Sequence, residues 1–290
     1  MDAALSLPLV AALMYGTAAL LLKKVAVLGI GQIRVVFIAN WAAAIILWVA
    51  MPVAWSDIPW SDLAPPLITA IFFFLGNAFT FWAIRVGDVS VVTPAMGLKV
   101  IFVALLSAWF FEVPMDRAIQ AGVGLAAVGV VLLGVADWRQ PRRIVPALIL
   151  AAISAFFFAV SDTLVSQWAP AMGREIFLPI LFLAVALYSF LLLPFFTNPL
   201  HVIPARGWLW VLIGAGVLGL QAMLFNLALS VGDATVANIL FSSRGFWAFL
   251  LVLTLGPLLG NREGGGGVAR LGFRLLGTLI LFAAVALVLQ

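Results

Sequence analysis

Two cations in this chain lie inside long apolar stretches. Lys99 ends the segment VGDVSVVTPAMGLK (86–99), and Arg244 ends VGDATVANILFSSR (231–244). Val86-Gly87-Asp88 realigns with Val231-Gly232-Asp233, and Lys99 with Arg244, at one constant offset of 145, half of the 290 residues. In each copy the cation follows the aspartate by 11 residues. On a helix rising about 1.5 Å per residue that is roughly 16 Å, half of a hydrocarbon core about 30 Å thick. A Lys or Arg at such depth costs about 2.5 to 3.5 kcal/mol, so each must have a partner or a task. Two chemistries are open to them: binding an anionic or polar ligand in a wet cavity, or pairing with an acid or with helix carbonyls as a structural device.

Asp162 is the one acid well inside an apolar span. It can be the counter-ion of Lys99 or of Arg244, a proton-coupling group, or a solvated acid near the far interface. Asn238 and Ser242 precede Arg244 by six and two residues and are candidates for ligand contact, together with Tyr15 and Asn77. Most other polar residues in the spans, among them Thr80, Ser161 and Asn226, read as helix-to-helix hydrogen-bonding groups. Pro94, five residues before Lys99, reads as a hinge. Trp41, Trp82, Trp109 and Trp247 fit either a cavity wall or the interfacial belt.

Catalysis finds little to work with. An intramembrane aspartyl protease needs Gly-x-Gly-Asp and a Tyr-Asp on another helix. Here Asp88 and Asp233 follow Arg85-Val86-Gly87 and Ser230-Val231-Gly232, and no Tyr-Asp occurs. The Gly-Asp followed two residues later by Ser90 or Thr235 instead suits a turn and a helix N-cap. Ser242-Ser243 has no histidine on any helix to activate it, since the single histidine, His201, falls in a loop. Zero cysteines remove thiolate chemistry, and ligands for a metal are missing. No GxxxxGK[ST] phosphate loop is present. These absences argue against an enzyme and give no cofactor.

What must position the two cations is a membrane scaffold. Hydrophobic residues make up 66% of the chain and charged ones 9%, against about 25% charged in a soluble domain, and mean hydropathy is +1.25. The pI near 10.1 does not mark a nucleic-acid binder, because the basic residues are scattered through short loops. Apolar spans at 7–22, 33–55, 64–84, 89–111, 118–136, 145–168, 175–196, 206–229, 234–257 and 270–289 predict an all-α membrane protein of ten transmembrane helices. The first is followed by Lys23-Lys24 instead of a small-residue cleavage site and reads as a retained helix. Ala11–Lys23 also lies on Ala155–Gln167 at an offset of 144. The chain therefore divides into residues 1–144 and 145–290, two repeats of five helices each. With an odd number of spans per repeat the copies enter from opposite sides, the inverted topology common in secondary transporters.

Ten short-looped helices in two halves, a fourth and a ninth opened by Gly-Asp-x-Ser/Thr, and Glu112 closing the fourth ahead of Gln120-Ala121-Gly122 together resemble the EamA-like branch of the drug/metabolite transporter superfamily. The resemblance spans essentially the whole chain. It implies a bacterial inner-membrane transporter with a central cavity between the halves. In the branch that carries phosphorylated sugars, cations on the fourth and ninth helices hold the substrate phosphate, and Lys99 and Arg244 look like those. The sequence departs from the pattern after the ninth helix, where Gly260-Asn261 stands for the expected Gly-Glu and a glycine run follows.

The expectation is a secondary transporter of a small polar, anionic metabolite, working by alternating access with the lipid bilayer and a small-molecule substrate as partners, as a monomer or homodimer. Two other readings stay open: an exporter of neutral or amphipathic metabolites or amino acids in which both cations are structural, and a non-transporting scaffold or receptor. Odd-numbered loops hold eleven of the basic residues and even-numbered ones two, Arg117 and Arg174. By the positive-inside rule the odd loops are cytoplasmic and both termini are outside.

Overall fold

The computed structural model describes residues 3–86, 92, 95–135, 144–255 and 268–288, and all regular structure among them is helical. The α-helices are α1 (Ala3–Val27), α2 (Gln32–Ala50), α3 (Ala64–Val86), α4 (Leu98–Phe110), α5 (Arg117–Val135), α6 (Ile144–Met172), α7 (Arg174–Tyr188), α8 (Ala205–Val231), α9 (Ala234–Ser242), α10 (Arg244–Leu255) and α11 (Val268–Val288). Because α9 and α10 are two pieces of one span, these make ten spans. Six of them, at 3–22, 32–50, 64–86, 145–172, 174–195 and 205–231, are by length and composition apolar enough to cross a membrane. Asp88, Ser90, Pro94, Arg139 to Arg143, and Gly260-Asn261 with the glycines that follow lie outside the described residues.

Span limits differ from the sequence expectation where a local signal decides them. The first helix continues past residue 22 to Val27, so Lys24 sits in its last turn, where a cation complements the helix dipole. Gly29, at φ +72°, makes the turn into α2. The second helix stops at Ala50 rather than at 55, since Pro52 supplies no N–H to continue it. The seventh span is α-helical only to Tyr188 and completes its length as a 3₁₀ helix, Ser189–Phe195. The fourth closes at Glu112, whose φ of +52° puts it in the left-handed region that ends helices.

Small residues set the helix spacing. α1 packs on α8, α3 on α6, α5 on α11, α2 on both α7 and α8, and α4 on α6 and α9. Alanines dominate the main buried cluster, in which Ala11, Ala43, Ala70, Ala159 and Ala237 join Leu47, Phe177, Phe182 and Leu229. In lipid there is no water to drive helices together, so close packing of this kind is what holds them. At Gly219 on α8 an added Cβ would lie 2.9 Å from the backbone N of Ala43 on α2. At Gly76 on α3 it would lie 2.8 Å from the Phe158 ring of α6. The Ser154 hydroxyl donates to the Gly76 carbonyl at 2.7 Å and lies 2.6 Å from the Thr80 hydroxyl, so the α3–α6 contact is fastened by hydroxyls as well.

The close approach at Gly219 predicts the outcome of a simple substitution. Gly219→Ala should destabilise by about 1 to 3 kcal/mol, because the obstructing atoms are backbone and cannot swing away. Gly216→Ala, on the same helix but with nothing within 4 Å of the new methyl, should leave the detergent-solubilised protein's melting temperature unchanged. Equal melting temperatures for the two variants would contradict this packing.

Candidate functional site

The two sequence cations come together, and they do so around one phenylalanine. Lys99 is the second residue of α4, Asp162 lies in the middle of α6, and Asn238 and Phe241 are one turn apart on α9. Arg244 opens α10. Spacing of three residues puts Asn238, Phe241 and Arg244 along one face of the ninth span.

Lys99 donates from Nζ to Asp162 Oδ2 at 2.6 Å, and Asn238 donates from Nδ2 to the same oxygen at 3.0 Å. Lys99 is 7% exposed and Asp162 2%. The alternative of a solvated acid at the far interface is thereby overturned. Asn238 also donates to the Ala234 carbonyl at 3.0 Å, while its Oδ1 is buried without a partner. The pair thus ties three spans together in the membrane interior.

Aromatic rings surround the ammonium and the guanidinium. Lys99 Nζ lies 4.8 Å from the ring centre of Phe225, 5.6 Å from that of Phe241 and 6.0 Å from that of Phe158. Arg244 Cζ lies 4.6 Å from Phe241 and 5.2 Å from Tyr15. Arg244 is half-buried, and among the described residues it has neither an ion pair nor a hydrogen bond. Formal charge over Lys99, Asp162 and Arg244 is one positive unit. The Lys99 charge has an acid in hydrogen-bonding contact, whereas Arg244 feels Asp162 only from beyond ion-pair distance.

The local sequence explains how Arg244 reaches this place. Asp233 caps α9, its Oδ1 accepting from the Val236 N–H at 2.8 Å. Thr235, the expected hydroxyl partner of that cap, is instead buried with no hydrogen-bond partner. At the other end of α9 the Ser242 hydroxyl donates to the Ile239 carbonyl at 2.6 Å and the Ser243 hydroxyl to the Leu240 carbonyl at 2.7 Å. Hydroxyls that bond back to their own helix bend it, and the span is interrupted at Ser243. Irregular backbone at membrane depth is tolerated where it is buried or lines a cavity.

Of the other residues singled out in the sequence, Tyr15 joins the site through its ring, which meets Phe241 edge to face at 5.9 Å. Ser242 spends its proton on its own helix. Asn77, on α3, has a buried Nδ2 with no partner and none of the contacts that join the Lys99 and Arg244 groups. Trp109 is 80% exposed and Trp82 37%, in keeping with lipid-facing positions. Phe158, Phe225 and Phe241 escaped the sequence reading. The one available signal was the three-residue spacing of Phe241 from Asn238 and Arg244.

Residues 3–135 match the model of the EamA-like transporter family. No curated protein matches the chain. Among solved structures, 29 chains match. One of them is a protein crystal structure that superposes with a TM-score of 0.73 at 19% identity, over 98% of this chain and 95% of its own. At that identity the likeness is one of fold.

Removing one partner of a buried ion pair leaves an uncompensated charge, a loss of about 3 to 5 kcal/mol. Asp162→Asn and Lys99→Gln should each lower the melting temperature, and the double variant should recover most of what either loses. A double-mutant cycle with no coupling between positions 99 and 162 would show that the pair contributes nothing to the fold.

Proposed function

This chain belongs to the EamA-like transporter family of the drug/metabolite transporter superfamily, and from that premise we propose that it moves a small polar, anionic metabolite across the membrane by alternating access. Transport of small molecules through an integral multi-pass membrane protein is the family's work. The anionic character of the cargo rests on a single observation. Asp162 is committed to Lys99 at 2.6 Å, which leaves Arg244 as the cation of this group that, among the described residues, has no acid within ion-pair distance. A guanidinium offers five N–H donors in a planar fork and matches a carboxylate or phosphate through two parallel hydrogen bonds. An arriving anion neutralises the site.

Roles follow for the neighbours. Arg244 holds the anionic group. Lys99 acts through Asp162 and Asn238, holding α4, α6 and α9 in register around it. Asn238, which has a buried oxygen without a partner and donates to Asp162, is a group able to accept from a donor on the substrate. No nucleotide-binding motif is present, so a gradient or exchange drives the cycle.

Alternating access needs two halves that can exchange roles, and the helix pairing supports this. Moving five spans along the chain converts the α1–α8 contact into the α6–α3 contact, and α2–α8 into α7–α3. The pairs α2–α7, α4–α9 and α5–α11 convert into themselves. Gly29 and Gly173, 144 residues apart, both take positive φ at the turn between the first two helices of their halves. These pairings and glycines support the reading of an inverted repeat, in which a site is expected near the midplane. The bias of basic residues towards the odd loops supports cytoplasmic odd loops and both termini outside.

Arg244→Gln should weaken binding of an anionic substrate by about ten- to a hundredfold, the equivalent of the 1.5 to 3 kcal/mol carried by a charged hydrogen bond. Excess sulfate or phosphate should compete with it in uptake by proteoliposomes. Wild-type transport by the variant, or a cation as the preferred cargo, would refute the assignment. Topology has its own check: a reporter that is active only in the cytoplasm should be silent when fused after Gln290, and activity there would reverse the orientation.

A further inference from the structure

Resting on the reading of Arg244 as the anion-binding cation, we infer that Tyr15 and Phe241 are a positioning pair that fixes the direction in which Arg244 presents its hydrogen bonds, and with it the shape of anion the site accepts. Cζ of Arg244 is 4.6 Å from one ring centre and 5.2 Å from the other. The two rings stand at 81° to each other with centres 5.9 Å apart, so they form a corner, and the guanidinium occupies it.

The corner is rigid on one side. Phe241 is 4% exposed and lies stacked on Phe225 at 4.2 Å with the planes 29° apart. Phe225 in turn carries the Lys99 ammonium at 4.8 Å from its ring centre, and that ammonium is pinned by Asp162. The chain of contacts therefore runs from the buried ion pair through two stacked rings to Arg244.

Guanidinium is weakly hydrated and rests readily on aromatic faces. Its donors all lie in its own plane, and rings standing at 81° cannot both lie along its two opposite faces, so the corner shields one face and one side and leaves the rest of the edge to meet a ligand. An edge held in one direction rewards an anion with two oxygens side by side, as in a carboxylate or a phosphate. It gives a single-point anion such as a halide much less. The positioning role rests on the ring face of Tyr15, so it predicts that the hydroxyl is dispensable.

The test uses purified full-length protein in detergent, with equilibrium binding of acetate, inorganic phosphate and chloride as probes. Wild type should prefer acetate and phosphate to chloride. Phe241→Leu should weaken acetate and phosphate about tenfold, the loss of one well-placed cation–π contact, while chloride changes far less, because the charge is still there. Tyr15→Leu, at a half-buried position, should do the same, and Tyr15→Phe should bind as wild type does. A Tyr15→Phe variant as impaired as Tyr15→Leu would mean that the hydroxyl touches the ligand, and the inference falls. It falls also if the leucine variants keep the wild-type preference for acetate over chloride. If wild type binds none of the three probes, or binds them undiminished after Arg244→Gln, the reading of Arg244 itself is wrong and this inference goes with it. Anion binding lost in Arg244→Gln but untouched in both leucine variants overturns the positioning role alone.

Discussion

The contact between Lys99 and Asp162 is the constraint around which the interior is arranged. A bare ammonium or carboxylate at membrane depth costs more than a helix contact can return, so where one is kept the other must be brought within hydrogen-bonding distance. That requirement fixes α4 against α6. Asn238 extends it to α9 by donating to the same carboxylate oxygen, and the aromatic rings packed around the ammonium extend it to α8 through Phe225. With the one acid well inside an apolar span spent in this way, Arg244 stands in the same neighbourhood without an ion pair of its own. One ion pair thus both holds the core together and leaves Arg244 as the cation proposed to meet an anion.

The remaining packing makes room for such a polar centre. Alanine and glycine let α1, α2, α3, α6 and α8 approach closely, which supplies dispersion where the hydrophobic effect is absent. Many of the hydroxyls and amides bond back to their own helix, as Thr163 does to Ala159 and Asn226 to Ala222. Among the described residues, polar ties between spans away from the Asp162 group include Ser154 to Gly76 and Thr80, Ser166 to the Gly232 carbonyl at 3.3 Å, and Trp48 to the Pro179 carbonyl at 3.2 Å. Close packing of small residues with a few fixed polar points therefore holds the described helices together.

Much of this was legible in the residues themselves. Ten apolar spans, the Gly-Asp segments at one offset and the two deep cations follow from spacing and transfer cost alone, and the described helices fall where the spans predict them to within a few residues at most ends. Three things were not. Which cation Asp162 would choose depends on distances between helices, and no periodicity within one helix encodes that. Phe158, Phe225 and Phe241 were invisible because in a chain that is 66% hydrophobic a phenylalanine facing a cation looks like one facing lipid. The break at Ser243 needed the hydroxyls of two adjacent serines to turn back on their helix, while the sequence equally allowed them to face a ligand.

In the proposed transporter Arg244, and not Lys99, is the charge open to a ligand. The most direct measurement is an experimental structure of the purified protein soaked in selenate, with the anion located by its anomalous scattering. A selenate peak within hydrogen-bonding distance of the Arg244 guanidinium, with Lys99 still paired to Asp162, is the predicted result. Selenate bound at Lys99 with Asp162 displaced, or Arg244 found paired with an acid of the protein, would contradict it.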